Sequence, residues 1–160
     1  MIRLVVYETY PLFHVGIKAA FKDCNFIYVA GDSSEVKALF PLLAVTPAEV
    51  VLLGVNQNDN HLCVDVARRI HHDYPQMKIL AFTDEDTEQT IRLLMDVGIN
   101  GFIGKRQADG NERRIAIQQV VAGEKYIGRI DKNTHFYKQT RYSETQNKLA
   151  TNNTLYLKVT

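Results

Sequence analysis

With 160 residues, 46% hydrophobic and 23% charged, the chain has apolar material for one packed core and too little length for two full domains. Its formal net charge of +1 supplies neither the broad basic footprint of a nucleic-acid binder nor a polybasic run for an anionic membrane surface. Cys24 and Cys63 are the only cysteines and have no CxxC spacing, which argues against a disulfide framework or structural zinc site and suits a reducing cytoplasm.

No secretory leader pattern or bilayer-length apolar run is present, so a cytoplasmic protein is expected. Short apolar runs alternate with segments of helical period, the pattern of a parallel sheet covered by helices on both faces. The first strand is expected at Ile2–Tyr7, followed by a helix with Pro11 in its first turn and Leu12, Gly16, Ala19 and Ala20 as the buried stripe. Residues 26–30 predict a second strand. Ser33 or Ser34 then caps a helix that buries Val36, Leu39, Phe40 and Leu43. The run 50–53 is continuous and apolar, as a central strand should be. A polar loop over 54–60 leads to a helix carrying Val64, Ala67 and Ile70.

Residues 78–82 predict the fourth strand, with Thr83, Asp84, Glu85 and Asp86 placing a cap and acids at the next helix start. That helix turns Ile91, Leu94 and Met95 inward and stops at Gly98. Residues 101–104 form a short fifth strand, and a last helix spans about 111–122 with Gly123 as its stop. If Ala116, Ile117 and Val120 face the sheet, Ile115 and Val121 point away from it. Right-handed crossovers give a three-layer, doubly wound, five-stranded parallel sheet, for which the order 2-1-3-4-5 is the commoner small solution and the one expected here.

In such a sheet the functional crevice lies at the carboxyl ends of the strands. It gathers Glu8 and Thr9 after the first strand, Gly54 and Asn56 after the third, Thr83 after the fourth and Lys105 after the fifth. No GxGxxG or P-loop pattern follows a strand, so dinucleotide and nucleotide-phosphate sites lack support. His14, His61, His71 and His72 lack metal-ligand spacing to acids or cysteines and read as surface residues.

The stretch from Arg3 to Phe13, RLVVYETYPLF, resembles the R-V-L-I-V-D-D-H-P-L-F opening of NarL/FixJ-type response regulator receivers. VVLLGVN, ending at Asn56, resembles their V-V-L-L-D-I-N, and the stretches around Thr83, Lys105 and Tyr126 resemble three further motifs of the family in order. The likeness covers residues 1–127. It implies the CheY-like receiver fold and a signalling role in two-component phosphorelay and transcription control, not enzymatic turnover. In that family two acids after the first strand and an aspartate after the third hold Mg²⁺. The aspartate takes the phosphoryl group, a threonine and a lysine contact it, and an aromatic in the fifth strand switches rotamer.

Glu8, Thr83, Lys105 and Phe102 match those positions. Asn56 matches the residue that lends a backbone carbonyl. Thr9 replaces the second acid and Gly54 the acceptor. Three carboxylates against one lysine would leave the site near −2, whereas Glu8 against Lys105 leaves it near neutral. Each such contact is worth about 4 kcal/mol at an effective dielectric near 20, so the resemblance implies lost Mg²⁺ binding, no cofactor and no covalent signalling.

Glu8 and Thr9 have a plainer reading as a helix entry capped by Thr9, and Lys105 reads as Glu8's ion-pair partner or as a solvated lysine. Asp59 reads as a cap before the third helix, or as a displaced acceptor; Glu8 is the other acid for that role. The expected mode is a pseudo-receiver acting through protein partners, with a homodimer through the fourth helix, fifth strand and fifth helix. Neither nucleic acid nor membrane is an expected partner of this chain alone. After residue 127 the composition turns polar. The segment 128–160 lacks the opening of a LuxR-type helix-turn-helix; 154–159 alternates weakly and fits an added strand or pairing with a partner, while disorder or an extra helix docked on the receiver fits the composition equally well. The remaining alternative is the N-terminal part of a LuxR-type DNA-binding regulator.

Overall fold

Val50–Val55 is buried at every position, and a strand that shows no face to water must lie inside a sheet covered on both sides. The computed structural model describes residues 1–84, 87–106 and 109–128. In chain order these form β1 (Ile2–Tyr7), α1 (Pro11–Phe21), β2 (Ile27–Ser33), α2 (Val36–Val45), β3 (Val50–Val55) and α3 (Asn60–Asp73). They continue with β4 (Lys78–Thr83), α4 (Glu88–Asp96), β5 (Gly101–Gly104), α5 (Gly110–Val121) and β6 (Tyr126–Ile127). Among the described residues the sheet is six-stranded, in the order β2-β1-β3-β4-β5-β6, and every pairing is parallel.

The five expected strands and their order are present, and a sixth strand extends the edge. Tyr126 N donates to Asn100 O at 3.2 Å and Gly128 N to Phe102 O at 2.9 Å. The two-residue strand β6 after α5 therefore adds one more parallel crossover at this edge. The expectations for 129–160, including the strand at 154–159, and for the acids Glu85 and Asp86 lie outside the described residues.

One face of the sheet packs against α1 and α5. Leu4, Val6, Ile27, Val50, Leu52, Leu80, Phe82 and Ile103 meet Ile17 and Phe21 of α1 and Ala116, Ile117 and Val120 of α5. Here α1 departs from expectation: Leu12, Gly16 and Ala19 face solvent, and Phe13, Ile17 and Phe21 take the inner face. Larger side chains bury more apolar area, so two phenylalanines and an isoleucine outweigh a leucine with two small residues. Val121 likewise packs on the core, while Ile115 stays 40% exposed.

The helix starts also differ from the sequence reading. Tyr10 and Glu35 occupy the N-cap positions of α1 and α2 without a side-chain cap; Ser33 Oγ instead donates to Glu35 O and accepts from Glu35 N. For α4 the cap is Thr87, accepting from Thr90 N. Thr83 stays in β4.

Candidate functional site

The crevice is assembled by strand register. Gly54 pairs with Phe82, Val55 with Thr83, and Thr83 with Gly104, so the ends of β3, β4 and β5 lie side by side. Lys105 N donates to Thr83 O at 2.7 Å. β1 ends beside β3, with Tyr7 opposite Leu53, and delivers Glu8 to the same spot. Glu8, Asn56, Thr83 and Lys105 are all buried polar residues.

Glu8 and Lys105 form an ion pair, Oε2 to Nζ at 2.6 Å, with both side chains fully buried. Glu8 Oε1 accepts from Tyr10 N at 2.8 Å and from Asn56 Nδ2 at 3.1 Å. Oε2 takes no hydrogen bond besides its contact with the ammonium. Asn56 binds the pair from the side, since its Oδ1 accepts from Lys105 Nζ and its Nδ2 also donates to Thr9 Oγ1 at 2.7 Å. The Asn56 backbone carbonyl, expected to serve a ligand, instead accepts from Asp59 N within the following turn. Thr9 Oγ1 in turn donates to Asp59 Oδ2 at 3.4 Å. Asp59 is thus the N-cap residue of α3 by position, but its side chain makes no cap bond.

Gly54 is where this arrangement becomes possible. A Cβ there would lie 2.8 Å from Glu8 Cδ, closer still to Oε2, and 2.9 Å from the Tyr7 carbonyl oxygen. Glu8's carboxylate therefore fills the space that any side chain at position 54 would enter. Cys63 closes the floor, its Sγ donating to Gly54 O at 3.4 Å.

Three rings surround the ammonium. Lys105 Nζ lies 4.6 Å from the Phe13 centroid and 5.4 Å from those of Tyr10 and Phe82, within cation–π reach. Tyr10 and Phe13 stack at 6.4 Å, and Phe13 meets Phe82 edge-on at 6.1 Å. Sequence reading missed these rings; the i, i+3 spacing of Tyr10 and Phe13 across the α1 start was the available signal. Phe102 is buried in β5.

Burial, aided by the nearby charges of Cys63, Asp59 and Glu8, pushes the Tyr7 hydroxyl up to about 12. Burial likewise pushes the Cys63 thiol up to about 12, so it stays protonated and inert as a nucleophile. Arg113, over the Phe82 ring at 5.5 Å, is lowered by burial.

A hard divalent cation needs several oxygen ligands in a near-octahedral shell. Here the single carboxylate at the strand ends already faces an ammonium, and among the described residues no group of three or more His, Cys, Asp or Glu side chains is placed to hold a metal. The residues present therefore do not fit Mg²⁺ as they stand. His14 has a role unseen in sequence: Nε2 lies 2.6 Å from Asp32 Oδ2, and Lys18 Nζ is 2.9 Å from Oδ1.

Against known proteins, no family model matches the chain. The transcriptional regulatory protein DegU of Brevibacillus brevis is 23% identical over 126 residues, 79% of this chain and 52% of DegU. The chain thus spans about half the length of the curated relative it matches. Among solved structures, the isolated REC domain of RcsB from Salmonella enterica serovar Typhimurium in the apo form aligns with TM-score 0.71 at 17% identity. That alignment covers 79% of this chain and 92% of the RcsB domain. A LuxR family DNA-binding response regulator from Silicibacter pomeroyi aligns with TM-score 0.67 at 20% identity, over 84% of this chain and all of that one. The described residues have the fold of a response regulator receiver domain.

Proposed function

We propose that this domain is a receiver-like module of two-component signalling and transcription control that works by protein–protein contact, without phosphoryl transfer, metal or turnover. One observation carries the reading: the carboxylate of Glu8, buried and paired with Lys105, occupies the space where an acceptor side chain on residue 54 would stand. A receiver with an open acidic pocket draws a cation and then a phosphoryl group. This pocket is electrically neutral, closed to solvent, and enclosed by Tyr10, Phe13 and Phe82. Its lysine, asparagine and threonine hold the pocket shut, and Phe102 has no phosphorylation event to answer.

The module's output then depends on partner proteins. The face of α4, β5 and α5, with Leu93 39% and Ile115 40% exposed, is the surface proposed for them. The described helices include none long and apolar enough to cross a membrane; a cytoplasmic location suits the reading, which assigns no DNA binding to this chain alone.

The test is incubation with acetyl phosphate and Mg²⁺, followed by intact-mass measurement and thermal melting. The expected result is unmodified mass and an unchanged melting temperature. A stoichiometric phosphate adduct, on Asp59, Glu8 or elsewhere, would overturn the proposal, as would Mg²⁺-dependent stabilisation.

A further inference from the structure

At the amino ends of β3 and β4, opposite the Glu8–Lys105 crevice, lies a groove of about 450 Å³. Ala48 lines it from the connection before β3, Tyr74, Pro75 and Met77 from the loop before β4, and Val121 from the last turn of α5. Backbone hydrogen bonds fix these walls. Glu49 N donates to Arg3 O at 3.0 Å and Lys78 N to Glu49 O at 2.9 Å, while Tyr74 N donates to Ile70 O at 2.8 Å and Met77 N to Tyr74 O at 2.9 Å. A groove held in shape by its own backbone costs a ligand little ordering.

Two charged side chains complete the lining, Glu49 and Lys78, and their situations differ. Both Glu49 oxygens are engaged by Arg3, Oε2 by its backbone N at 2.7 Å and Oε1 by Nη2 at 2.7 Å. Those bonds hold the Glu49 carboxyl below its ordinary range. Asp73, the acid next to Tyr74, is engaged by Arg69 and His72. Lys78 is partly buried, and its ammonium has no hydrogen bond or ion pair among the described residues. The carboxyl end of α5, at Val121, offers it about half a negative charge. The groove therefore sets one uncompensated ammonium beside largely apolar walls.

We propose that this groove binds a small aromatic carboxylate. The carboxylate pairs with the Lys78 ammonium, and the ring lies against Tyr74, Pro75 and Met77, where ring–ring and sulfur–aromatic contacts favour it over an alkyl chain. The volume falls in the range of about 300–1,000 Å³ typical of small-molecule sites. A purely polar anion would leave the apolar walls wet, and a neutral hydrocarbon would leave the ammonium without a partner. For a receiver-like module that takes no phosphoryl group, such a ligand is an alternative input. That input role rests on the absence of phosphoryl transfer; the binding itself does not, because the groove lies at the far end of the strands from Glu8.

Titration of the isotope-labelled full chain with naphthoate, followed by backbone amide chemical shifts, tests the proposal. Shifts are expected at Glu49, Met77, Lys78 and Val121 and none at Glu8, Gly54 or Lys105, with a dissociation constant of about 1 mM or tighter at ordinary ligand efficiency. Naphthamide has the same ring without the charge and should bind about fivefold more weakly, the worth of one partly exposed ion pair. Octanoate, with the charge but no ring, should also bind more weakly than naphthoate. Lys78→Met should weaken naphthoate by about the same fivefold and leave naphthamide unchanged, which shows that the groove itself is intact, while Lys78→Arg should keep the binding. The acid–amide comparison needs no variant and decides on the wild type alone. Equal binding of acid and amide overturns the proposal, as does octanoate binding as tightly as naphthoate. An absence of shifts at the groove up to about ten times the expected constant, or a Lys78→Met chain that binds naphthoate as well as the wild type, does the same.

Discussion

Restoring an aspartate at position 54 should destabilise the protein rather than repair it. Its Cβ would lie 2.8 Å from Glu8 Cδ and 2.9 Å from the Tyr7 carbonyl oxygen. The first neighbour is the end of a side chain, but one pinned by Tyr10 N, Asn56 and Lys105; the second is backbone and gives less. Overpacking of this kind costs about 1–3 kcal/mol, which Gly54→Ala and Gly54→Asn should both show. Aspartate adds a second buried carboxylate. Its attraction to Lys105 and its repulsion from Glu8 are each about 4 kcal/mol at an effective dielectric near 20 and nearly cancel. The desolvation of the new charge, several kcal/mol, remains. Gly54→Asp should therefore unfold about 3 kcal/mol more easily than its isostere Gly54→Asn, a shift of about 1 M or more in the urea midpoint. Adding Glu8→Gln should recover most of that gap, because the introduced carboxylate could then pair with Lys105 alone. Equal midpoints for the aspartate and asparagine variants, measured by circular dichroism without metal, would refute the account of a filled and neutral pocket.

Lys105→Met should cost about 3–5 kcal/mol by leaving Glu8 buried without its ammonium, while Glu8→Gln/Lys105→Met should recover most of the loss; strictly additive losses in urea melts would show that the pair is not coupled. A maleimide at neutral pH should modify the half-buried Cys24 in the native protein and reach Cys63 only on unfolding, and equal rates for both would contradict the burial of Cys63. Burial pushes the Asp32 carboxyl up, but Lys18 and His14 outweigh it and hold it below the ordinary 3.8. The stability this lends is present above that ordinary value and drains away as pH falls through the folded-state value. Asp32→Asn should accordingly lose less stability than the wild type as pH falls from about 5 to about 2, and identical losses would count against the pairing.

The sheet was legible because most of its strands are apolar runs between helical segments, and 2-1-3-4-5 is a common order for a small doubly wound sheet. Glu8, Asn56 and Lys105 follow strands and Thr83 ends one, so their positions were legible for the same reason; Gly54, expected to open the loop, instead lies inside β3, which runs on to Val55. What fills the crevice was not legible. Whether Glu8 reaches across depends on the missing Cβ of Gly54 and on an ammonium far along the chain, a coupling that no local pattern records. The face of α1 was misread because its sequence offers two apolar stripes, and periodicity alone does not say which is heavier. Asp32 was hidden by backbone irregularity: the β1–β2 register shifts between Leu4 and Val5. Leu4 pairs with Val29 but Val5 with Gly31, so one extra residue in β2 reverses the alternation and brings Asp32 round to the α1 side.

Glu8 and Gly54 then stand or fall as a pair. Glutamate reaches one methylene further than aspartate, and glycine is the residue that leaves room for that reach. Shortening Glu8 to aspartate should retract the carboxylate from Lys105 and leave a void above Gly54, while Gly54→Asp alone meets a carboxylate already in place. Combining Glu8→Asp with Gly54→Asp gives two short acids on neighbouring strand ends, with Asn56 and Thr9 between them. That set offers the oxygen ligands a hard cation needs. The double variant should gain stability with Mg²⁺, by about 2.7 kcal/mol at a hundred times its dissociation constant, while the wild type and both single variants should not respond. Differential scanning fluorimetry across a Mg²⁺ titration reads this directly. A wild-type response as large as that of the double variant would mean that the Glu8–Lys105 contact opens readily, and that the pocket is shut only in appearance.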